Sequence, residues 1–390
     1  MLGVAVLGYG VVGSGVAELL QKNAERISLK AGQEIVLRRI LDIRDLSWSP
    51  HADLAVTDFT LIENDPDIQV VVECIGGVGV ALDFVTRSLR AGKHVVTSNK
   101  ALVAEKGAEL LALAEKQNLN FLFEASVGGG IPVLRPLSQC LAANRLGEIV
   151  GILNGTSNYI LSQMLCRHLP FADALQEAKD RGYAEADPTD DISGMDACRK
   201  ICILTSLAFG SHIYPVQVDT EGIMKVDEGD MRFAQENGYS VKLLARAISG
   251  GTDEARIVYV APHFVPITHP LSGVNGVFNA VWISGDAIGE IMLYGRGAGK
   301  EPTASAIAAD IIDTAKHMGT RKWVCWKPSS SLDRRSQDNL SAPWYLRTGN
   351  GGRITEPMSA KEIDLFVRSL PEKPLYRMRV LQKEEDPAWD

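Results

Sequence analysis

The first 130 residues alternate between short apolar runs and longer amphipathic segments. The apolar runs predict five β-strands, at residues 3–8, 35–43, 68–76, 94–99 and 120–126. The segments between them predict helices at residues 11–23, 82–92 and 106–118. Strands that are apolar along their whole length and separated by helices are typical of a parallel sheet covered on both faces. This region is therefore predicted to be α/β, with a doubly wound sheet.

The pattern changes after residue 130. Strands are predicted at residues 148–155, 256–265, 276–285 and 290–295, without a helix between each pair, and helices at 162–165, 171–181, 192–209, 240–248 and 303–318. Such an order is typical of an α+β domain with a mixed or antiparallel sheet. Residues 328–339 are polar enough to predict a linker, and the residues after it contain only short strand-like and helical pieces.

Composition narrows the class of protein. The chain has 390 residues, enough for two domains, and its formal net charge of −8 argues against a nucleic-acid partner. A strand starts at the first methionine and no apolar run is long enough to span a membrane, so we expect neither a leader nor a membrane anchor. The six cysteines form no CxxC pair, which favours free thiols in a reducing cytoplasm. The seven histidines form no HxxxH or HExxH pattern, so the sequence does not support a zinc site.

A glycine triplet follows the first predicted strand. Gly8, Gly10 and Gly13 have the spacing GxGxxG and open a helix, with Val11 and Val12 between them. In this context the first glycine permits a tight turn, the second a close approach to a pyrophosphate, and the third close packing of helix on strand. The sequence predicts a Rossmann-type dinucleotide site, and the alternative is a flavodoxin-like turn that binds no dinucleotide.

Two further strand ends carry candidate cofactor contacts. Asp42 could accept hydrogen bonds from the ribose of NAD, whereas Arg44 could meet the 2′-phosphate of NADP, and we favour NADP. Thr97, Asn99 and Lys100 lie at the carboxyl end of the fourth strand, at the sheet edge where ligands bind in open α/β folds. On position alone, Lys100 could equally be a solvated lysine at a helix start.

The stretch RGYAEADPTDDISGMDACRK, residues 181–200, combines carboxylates with a lysine ahead of an apolar run. Helical spacing places Asp196 and Lys200 on one stripe with Ile203 and Leu207, and flanking residues are apolar on nearly every side. The stretch could be a helix cap with a surface ion pair or a calcium loop, although calcium-loop spacing is missing. Because buried charges need partners or a purpose, we favour a lysine that exchanges a proton with a substrate.

Several segments together resemble the homoserine dehydrogenase family. They are GYAEADPTDDISGMDACRK, TSNKALVA, EASVGGGIPV, GILNGTSNYIL and YGRGAGKEPTASA, and the resemblance covers about residues 1 to 318. It implies NAD(P)-dependent interconversion of L-homoserine and L-aspartate 4-semialdehyde, on the route to threonine and methionine. It also implies a homodimer that shares a sheet of the second region.

The resemblance implies a role for each matching residue. Lys200 would handle the proton with Asp196 as its partner, and Lys100 would lie by the nicotinamide and substrate. The remaining implied positions are Glu185, Asp191, Tyr183, Gly155 and Thr156 for substrate; Lys100, Gly299 and Glu301 for cofactor; and Glu124, Val127, Gly129 and Ile131 for a sodium ion. The cofactor contacts expected from the residues themselves are Gly8, Gly10, Val11, Val12, Gly13, Arg44 and Thr97.

The predicted division is a dinucleotide-binding domain over residues 1–130, with 300–318 packing back on it. A substrate, catalytic and dimerisation domain follows over 131–299, and an irregular tail over 319–390. The segment SAPWYLRT resembles the first strand of a regulatory ACT domain, but the pattern that should follow is not recognisable. We therefore expect a short form without a complete ACT domain, and weak or absent inhibition by threonine.

Two other functions fit parts of the pattern. A reductase for another amino-acid semialdehyde could share the fold, but no cysteine lies in a strand-end, glycine-rich turn suited to an acyl intermediate. A non-catalytic dinucleotide sensor could also share it, and loss of Lys100 or Lys200 would favour that reading. Both lysines are present.

Overall fold

The structure is a computed structural model, and it describes residues 1–249, 256–328 and 340–382. The chain divides into two compact units. Unit 1 comprises Met1–Cys140, Ser206–His212 and Ala298–Pro328. Unit 2 comprises the described residues of 141–205, 213–297 and 329–390.

Unit 1 is built on a six-stranded parallel sheet in the order β3-β2-β1-β4-β5-β6. The strands are β1 (Leu2–Leu7), β2 (Ile35–Leu41), β3 (Ala55–Val56), β4 (Val70–Glu73), β5 (His94–Thr97) and β6 (Phe121–Leu122). The order runs outward in both directions from β1 and β4, so the carboxyl ends of these two strands form the switch point where ligands bind in such sheets. The predicted doubly wound parallel sheet is confirmed.

Helices cover both faces of this sheet. They are α1 (Val11–Lys22), α2 (Ala24–Ala31), α3 (Thr60–Glu63), α4 (Gly79–Arg90), α5 (Lys100–Lys116) and α11 (Lys300–Lys316). On one face, Val16 of α1 and Ile307 of α11 pack with Val6 of β1, and all three are fully buried. On the other face, Phe59 and Ile62 pack against β1 and β4. Burial of each such side chain contributes about 1.5–3 kcal/mol, so these two clusters hold the helices on the sheet.

Unit 2 contains a nine-stranded mixed sheet in the order β12-β11-β7-β9-β10-β15-β13-β14, with β8 also paired to β10. Its strands are β7 (Leu146–Ile152), β8 (Asp219–Thr220), β9 (Tyr239–Ser249), β10 (Arg256–Pro266), β11 (Phe278–Gly285), β12 (Gly289–Arg296), β13 (Trp344–Thr348), β14 (Gly351–Ile354) and β15 (Tyr376–Val380). Its helices are α6 (Gly155–Arg167), α7 (Phe171–Asp180), α8 (Thr189–Ile192), the part of α9 (Met195–Phe209) up to residue 205, α10 (Glu228–Glu236) and α12 (Ala360–Ser369). The predicted second α+β region is confirmed.

The helix predicted at residues 240–248 is wrong, because these residues lie in strand β9. The strand pairs antiparallel with β10 over its whole length, from Tyr239 opposite Pro266 to Ser249 opposite Arg256. Residues 240–248 are all buried. A spacing of four residues puts Lys242 and Arg246 on one face of a strand as well as of a helix, so periodicity alone did not separate the two structures.

The prediction of an irregular tail also needs correction. Residues 344–380 form β13, β14, α12 and β15, and β15 pairs with β10 in the sheet of unit 2. The strands are only four or five residues long. Such short strands are specified by their sheet neighbours more than by their own pattern. The predicted linker at 328–339 lies outside the described residues except for Pro328.

Within the described residues, no helix has the length and apolar character needed to cross a membrane.

Candidate active site

The glycine loop lies between β1 and α1 in unit 1. Gly8 has a φ of +91°, which an L side chain rarely adopts, and a Cβ at Gly13 would lie 1.9 Å from the Gly8 carbonyl oxygen. A Cβ at Gly10 would have no heavy atom of the described residues within 4 Å. Gly8 and Gly13 are therefore required by the fold of the loop, whereas no described neighbour requires glycine at position 10. The open space at Gly10, directly before Val11 at the helix N-terminus, fits a group with negative charge such as a pyrophosphate.

Arg44 and the backbone of Tyr9 both bind the carboxylate of Asp42. The Arg44 guanidinium donates to both oxygens, at 2.9 and 2.7 Å, and Tyr9 N–H donates to Oδ2 at 2.7 Å. These hydrogen bonds, first of all that from the Arg44 side chain, hold the pKa of Asp42 well below its usual range. The Arg44 side chain remains 56% exposed, so it can still reach a ligand.

Glu73 binds several groups at the switch point and was not among the residues predicted from the sequence. Its carboxylate, at the end of β4, accepts hydrogen bonds from Thr97 Oγ1 at 2.5 Å and from Ile75 N–H at 2.7 Å. Burial raises the pKa of this carboxyl group, and the hydrogen bonds oppose that shift. Asn99 in turn caps α5 by accepting from Leu102 N–H at 3.0 Å. The predicted contact Thr97 is thus bound to Glu73, and Lys100 is the first residue of α5. In the sequence, Glu73 is recognisable as a carboxylate that ends the apolar strand VVVE.

Gly299 and Glu301 lie at the start of α11 in unit 1. Gly299 has a φ of +130° and precedes the helix, and Glu301 lies exposed in its first turn. Between them, Lys300 packs against Gly15 of α1, where a Cβ would lie 2.7 Å from its Cγ, and its Nζ bonds to Glu18 at 2.7 Å. Through these contacts of Lys300, the start of α11 packs against α1, the helix that follows the glycine loop.

Lys200 and Asp196 form a buried pair on α9 in unit 2. Lys200 Nζ donates to Asp196 Oδ2 at 2.7 Å and to the carbonyl oxygen of Leu153 at 2.7 Å. Asp196 is 1% exposed and Lys200 8% exposed. The position of these charges excludes the surface ion pair considered from the sequence. A lysine nitrogen held between two oxygen acceptors at a fixed point is suited to giving and accepting a proton.

Asn154 connects this pair to helix α8. Its Nδ2 donates to Asp191 Oδ1 at 2.7 Å and to Asp196 Oδ2 at 2.9 Å. Asp191 lies on α8 and Asp196 on α9, so the one amide joins both helices to the end of β7. Asn154 was not among the residues predicted from the sequence, since an asparagine after a strand usually indicates only a turn.

The other predicted substrate residues lie on the start of α6 and the loop after α7. Thr156 Oγ1 donates to the carbonyl oxygen of Tyr183 at 2.6 Å, which fixes the loop to the helix. The Tyr183 side chain is 41% exposed, and Glu185 is also exposed. A Cβ at Gly155 would lie 2.9 Å from the Val277 carbonyl oxygen, so glycine permits close packing there. A carboxylate on this exposed loop could bind a substrate ammonium group.

In the loop predicted to bind a cation, residues 124–131, the Glu124 carboxylate binds backbone N–H groups. Glu124 accepts backbone N–H groups of Val133 and Leu134 through Oε1, at 2.7 and 2.9 Å, and of Arg135 through Oε2 at 2.8 Å. The Glu124 side chain therefore closes the loop and is a poor candidate for a ligand. Among the described residues no group of three or more His, Cys, Asp or Glu side chains could hold a metal ion.

Comparisons with known proteins agree on one family. Residues 8–124 match the family model described as the homoserine dehydrogenase NAD binding domain, and residues 132–312 match that described as homoserine dehydrogenase. The homoserine dehydrogenase of Neisseria gonorrhoeae is 46% identical over 316 residues, which cover 80% of this chain and 72% of that protein.

Solved structures give the same result. A homoserine dehydrogenase from Thiobacillus denitrificans superposes with a TM-score of 0.90 at 34% identity, covering 98% of each chain. A hyperthermophilic archaeal homoserine dehydrogenase in complex with NADPH superposes with a TM-score of 0.67 at 26% identity, over 80% of this chain and 97% of that one.

Proposed function

The chain belongs to the homoserine dehydrogenase family, and we propose that it interconverts L-homoserine and L-aspartate 4-semialdehyde with NADP, in threonine and methionine biosynthesis. The family makes it an oxidoreductase. The observation that carries the residue assignment is the buried Lys200 ammonium between Asp196 and the Leu153 carbonyl, 2.7 Å from each. We assign cofactor binding to unit 1, and substrate binding and dimerisation to unit 2.

Lys200 handles the proton in both directions. In oxidation its neutral amine accepts the hydroxyl proton of homoserine, and in reduction its ammonium donates a proton to the aldehyde oxygen. Asp196 holds the nitrogen in place and stabilises the charged form. Since both acceptors of the lysine lie in a buried region, little solvent reorganisation accompanies the transfer.

The loop after α7 and the start of α6 bind the amino-acid end of the substrate. Glu185 and Asp191 supply negative charge for the α-ammonium group, and Tyr183, Gly155 and Thr156 shape the surface around it. Thr156 supports this arrangement through its hydrogen bond to the Tyr183 carbonyl. These contacts orient the bound amino acid so that the reacting oxygen, on its terminal carbon, is presented to Lys200.

The glycine loop fits a dinucleotide. When bound, the nicotinamide supplies the hydride acceptor or donor. Gly8, Gly10, Val11, Val12 and Gly13 line the pyrophosphate position, where the space at Gly10 leaves room for phosphate oxygens. The remaining contacts assigned to the cofactor are Thr97 and Lys100, at the end of β5 and the start of α5, and Gly299 and Glu301, at the start of α11.

The proposed preference for NADP rests on Arg44. It occupies both oxygens of Asp42, which NAD would need free for its ribose hydroxyls, and still exposes more than half of its side chain. A guanidinium suits the planar, charged 2′-phosphate of NADP.

Two further properties are part of the proposal. A sodium ion would be bound by the carbonyl oxygens of Val127, Gly129 and Ile131, with the carbonyl rather than the carboxylate of Glu124. The chain would act as a homodimer in the cytoplasm. Equilibrium sedimentation tests the oligomeric state, and the mass of a single protomer would contradict the homodimer.

The experiment follows reduced cofactor by absorbance, with purified chain, L-homoserine and either NADP⁺ or NAD⁺. We expect homoserine-dependent reduction, and none with L-serine, which lacks one methylene group. Glu185→Gln should raise KM for homoserine about tenfold or more, because hydrogen bonds to charged groups contribute about 1.5–3 kcal/mol. Glu236→Gln, an exposed carboxylate on α10, is the matched control and should leave KM unchanged. Dinucleotide binding without turnover of homoserine would refute the substrate assignment.

A further inference from the structure

The side chain of Asn154 is the meeting point of three segments of unit 2. It follows β7, precedes α6, and is 5% exposed. Its Oδ1 accepts the backbone N–H of Ser157 at 2.7 Å and so caps α6. Its Nδ2 donates to Asp191 at 2.7 Å and to Asp196 at 2.9 Å. The amide is therefore fully used: the oxygen by the helix and both N–H groups by carboxylates.

The requirements at this position select asparagine. An aspartate would cap the helix equally well but would have no hydrogen to donate, and it would add a third carboxylate beside two others. A serine would also cap the helix, yet its single hydroxyl cannot donate to two carboxylates while accepting from Ser157. Capping and carboxylate contact can thus be separated by substitution.

The oxygen that Asn154 contacts is the same oxygen that pairs with the lysine. Asp196 Oδ2 accepts from Asn154 Nδ2 and from Lys200 Nζ. The backbone at the same turn takes part as well, because the Leu153 carbonyl oxygen accepts from Lys200. Two consecutive residues, Leu153 and Asn154, therefore bind both members of the Lys200–Asp196 pair.

We infer that Asn154 is a positioning residue of the reaction, which fixes the Asp196 carboxylate against Lys200 and offsets part of the negative charge that acts on that lysine. The inference rests on the proposed function, since it takes Lys200 as the group that moves the proton. Asn154 itself acts through Asp196 and Asp191.

The charges around Asn154 determine the direction of its effect on pH dependence. α9 contributes Asp196 and Lys200, and α8 contributes Asp191. On α6, Asn158 lies one turn beyond Asn154, and its Oδ1 faces Lys242 of β9 at 3.4 Å. Loss of the amide leaves the two carboxylates less neutralised, which favours the ammonium form of Lys200. Oxidation of homoserine needs the neutral amine, so its rate should then require a higher pH.

The test compares Asn154→Asp and Asn154→Ser with the wild-type chain. Both retain a capping oxygen, and Asn154→Asp adds a charge. We expect kcat for homoserine oxidation to fall about tenfold to a hundredfold, as for loss of hydrogen bonds to charged groups. The pH of half-maximal kcat/KM should move upward, by about one pH unit or more in Asn154→Asp and by less in Asn154→Ser. In the reduction direction, activity should persist to higher pH than in the wild type.

Ser359→Ala provides the control for a lost helix cap. Ser359 caps α12 through the N–H of Glu362 and is outside the proposed site. The Ser359→Ala variant should have a lower unfolding temperature and an unchanged pH profile of kcat/KM.

The outcomes separate the possible roles of Asn154. A uniform fall in rate at every pH, or failure of both Asn154 variants to fold, would overturn the inference in favour of a purely structural role for the amide. Wild-type kinetics in both variants would overturn it as well. Absence of turnover by the wild-type chain would refute the proposed function, and this result is distinct from an effect confined to the variants.

Discussion

Lys200 Nζ and Asp196 Oδ2 lie 2.7 Å apart on adjacent turns of one helix, and both side chains are almost completely buried. An exposed pair at this spacing would contribute only about 0.3–0.5 kcal/mol. Buried charges carry a desolvation cost of several kcal/mol each, so a pair retained at this position is better explained by chemistry than by stability.

Lys200→Arg tests this interpretation while keeping the positive charge. Arginine stays protonated at all accessible pH values, so it cannot accept the hydroxyl proton. We expect kcat to fall about 10²–10⁴-fold in both directions, the usual contribution of a positioned acid–base group, with dinucleotide affinity unchanged. Lys225→Ala, an exposed lysine of unit 2, is the control and should retain full activity. Turnover by Lys200→Arg within threefold of wild type would exclude Lys200 as the proton carrier.

Lys200→Ala should behave differently from the arginine variant. It leaves the Asp196 carboxylate buried without its cationic partner, and breaking such a pair costs about 3–5 kcal/mol. We therefore expect a large loss in the free energy of unfolding as well as in rate. Urea unfolding measures the first quantity, and equal stability of the two variants would contradict the burial argument.

Gly10→Ala tests the dinucleotide site without disturbing the loop. Gly10 has a φ of −77° and a ψ of −158°, which alanine can adopt, and its Cβ would contact nothing within 4 Å. The free energy of unfolding should change by about 0.5 kcal/mol or less. The new methyl group would occupy the space proposed for the pyrophosphate, so we expect Kd for NADPH to rise at least about tenfold, equal to 1.4 kcal/mol.

Two variants bracket that result. Gly319→Ala, where a Cβ would also contact nothing, should change neither stability nor affinity. Gly13→Ala should lose stability, since its Cβ would lie 1.9 Å from the Gly8 carbonyl oxygen. Unchanged NADPH affinity in Gly10→Ala, measured by cofactor fluorescence, would place the pyrophosphate elsewhere.

The features that the sequence predicted are those set by local chemistry. The parallel sheet of unit 1 follows from continuous apolar runs, and the glycine loop from the spacing of Gly8, Gly10 and Gly13. The Lys200–Asp196 pair follows from a spacing of four residues in an otherwise apolar helix. In each case the residues that determine the feature are close together in the chain.

The features that the sequence did not predict depend on distant partners. Asn154 acquires its contacts from residues 37 and 42 positions further along, which no local pattern indicates. A four-residue spacing places Lys242 and Arg246 on one face of a strand or of a helix alike, and only the pairing of β9 with β10 separates the two structures. The Glu124 carboxylate binds the N–H groups of residues 133–135, nine to eleven positions further along, and no local pattern indicates this contact.

Arg44→Ala tests the proposed cofactor preference. The substitution removes the guanidinium and releases both oxygens of Asp42, which could then accept ribose hydroxyls. We expect kcat/KM for NADP⁺ to fall about tenfold to a hundredfold, with that for NAD⁺ unchanged or higher. Arg26→Ala, an exposed arginine on α2, is the control and should leave the ratio of the two values unaltered. If Arg44→Ala also leaves the ratio unaltered, Arg44 does not contact the 2′-phosphate.

Two buried histidines of unit 1, His94 and His212, predict that the stability of the fold decreases in acid. Burial lowers the pKa of both His94 and His212 from 6.5 to about 4. His94 Nδ1 accepts the N–H of Asn120 at 2.9 Å, and His212 Nδ1 accepts the indole N–H of Trp326 at 2.9 Å. Each hydrogen bond requires an unprotonated nitrogen, so a proton on either ring would displace its partner.

The sign of the pH dependence follows from these pKa values. Between pH 6.5 and about 4 the unfolded chain binds protons on both histidines before the folded chain does. Their contribution to stability is therefore complete above pH 6.5 and is lost progressively as the pH falls toward 4. We expect the urea midpoint to decrease over this interval. His212→Asn keeps an acceptor for Trp326 but cannot titrate, so it should show a shallower decrease, whereas His168→Asn, at an exposed position, should retain the full decrease. The same slope in all three proteins would show that His212 stays accessible to protons in the folded state.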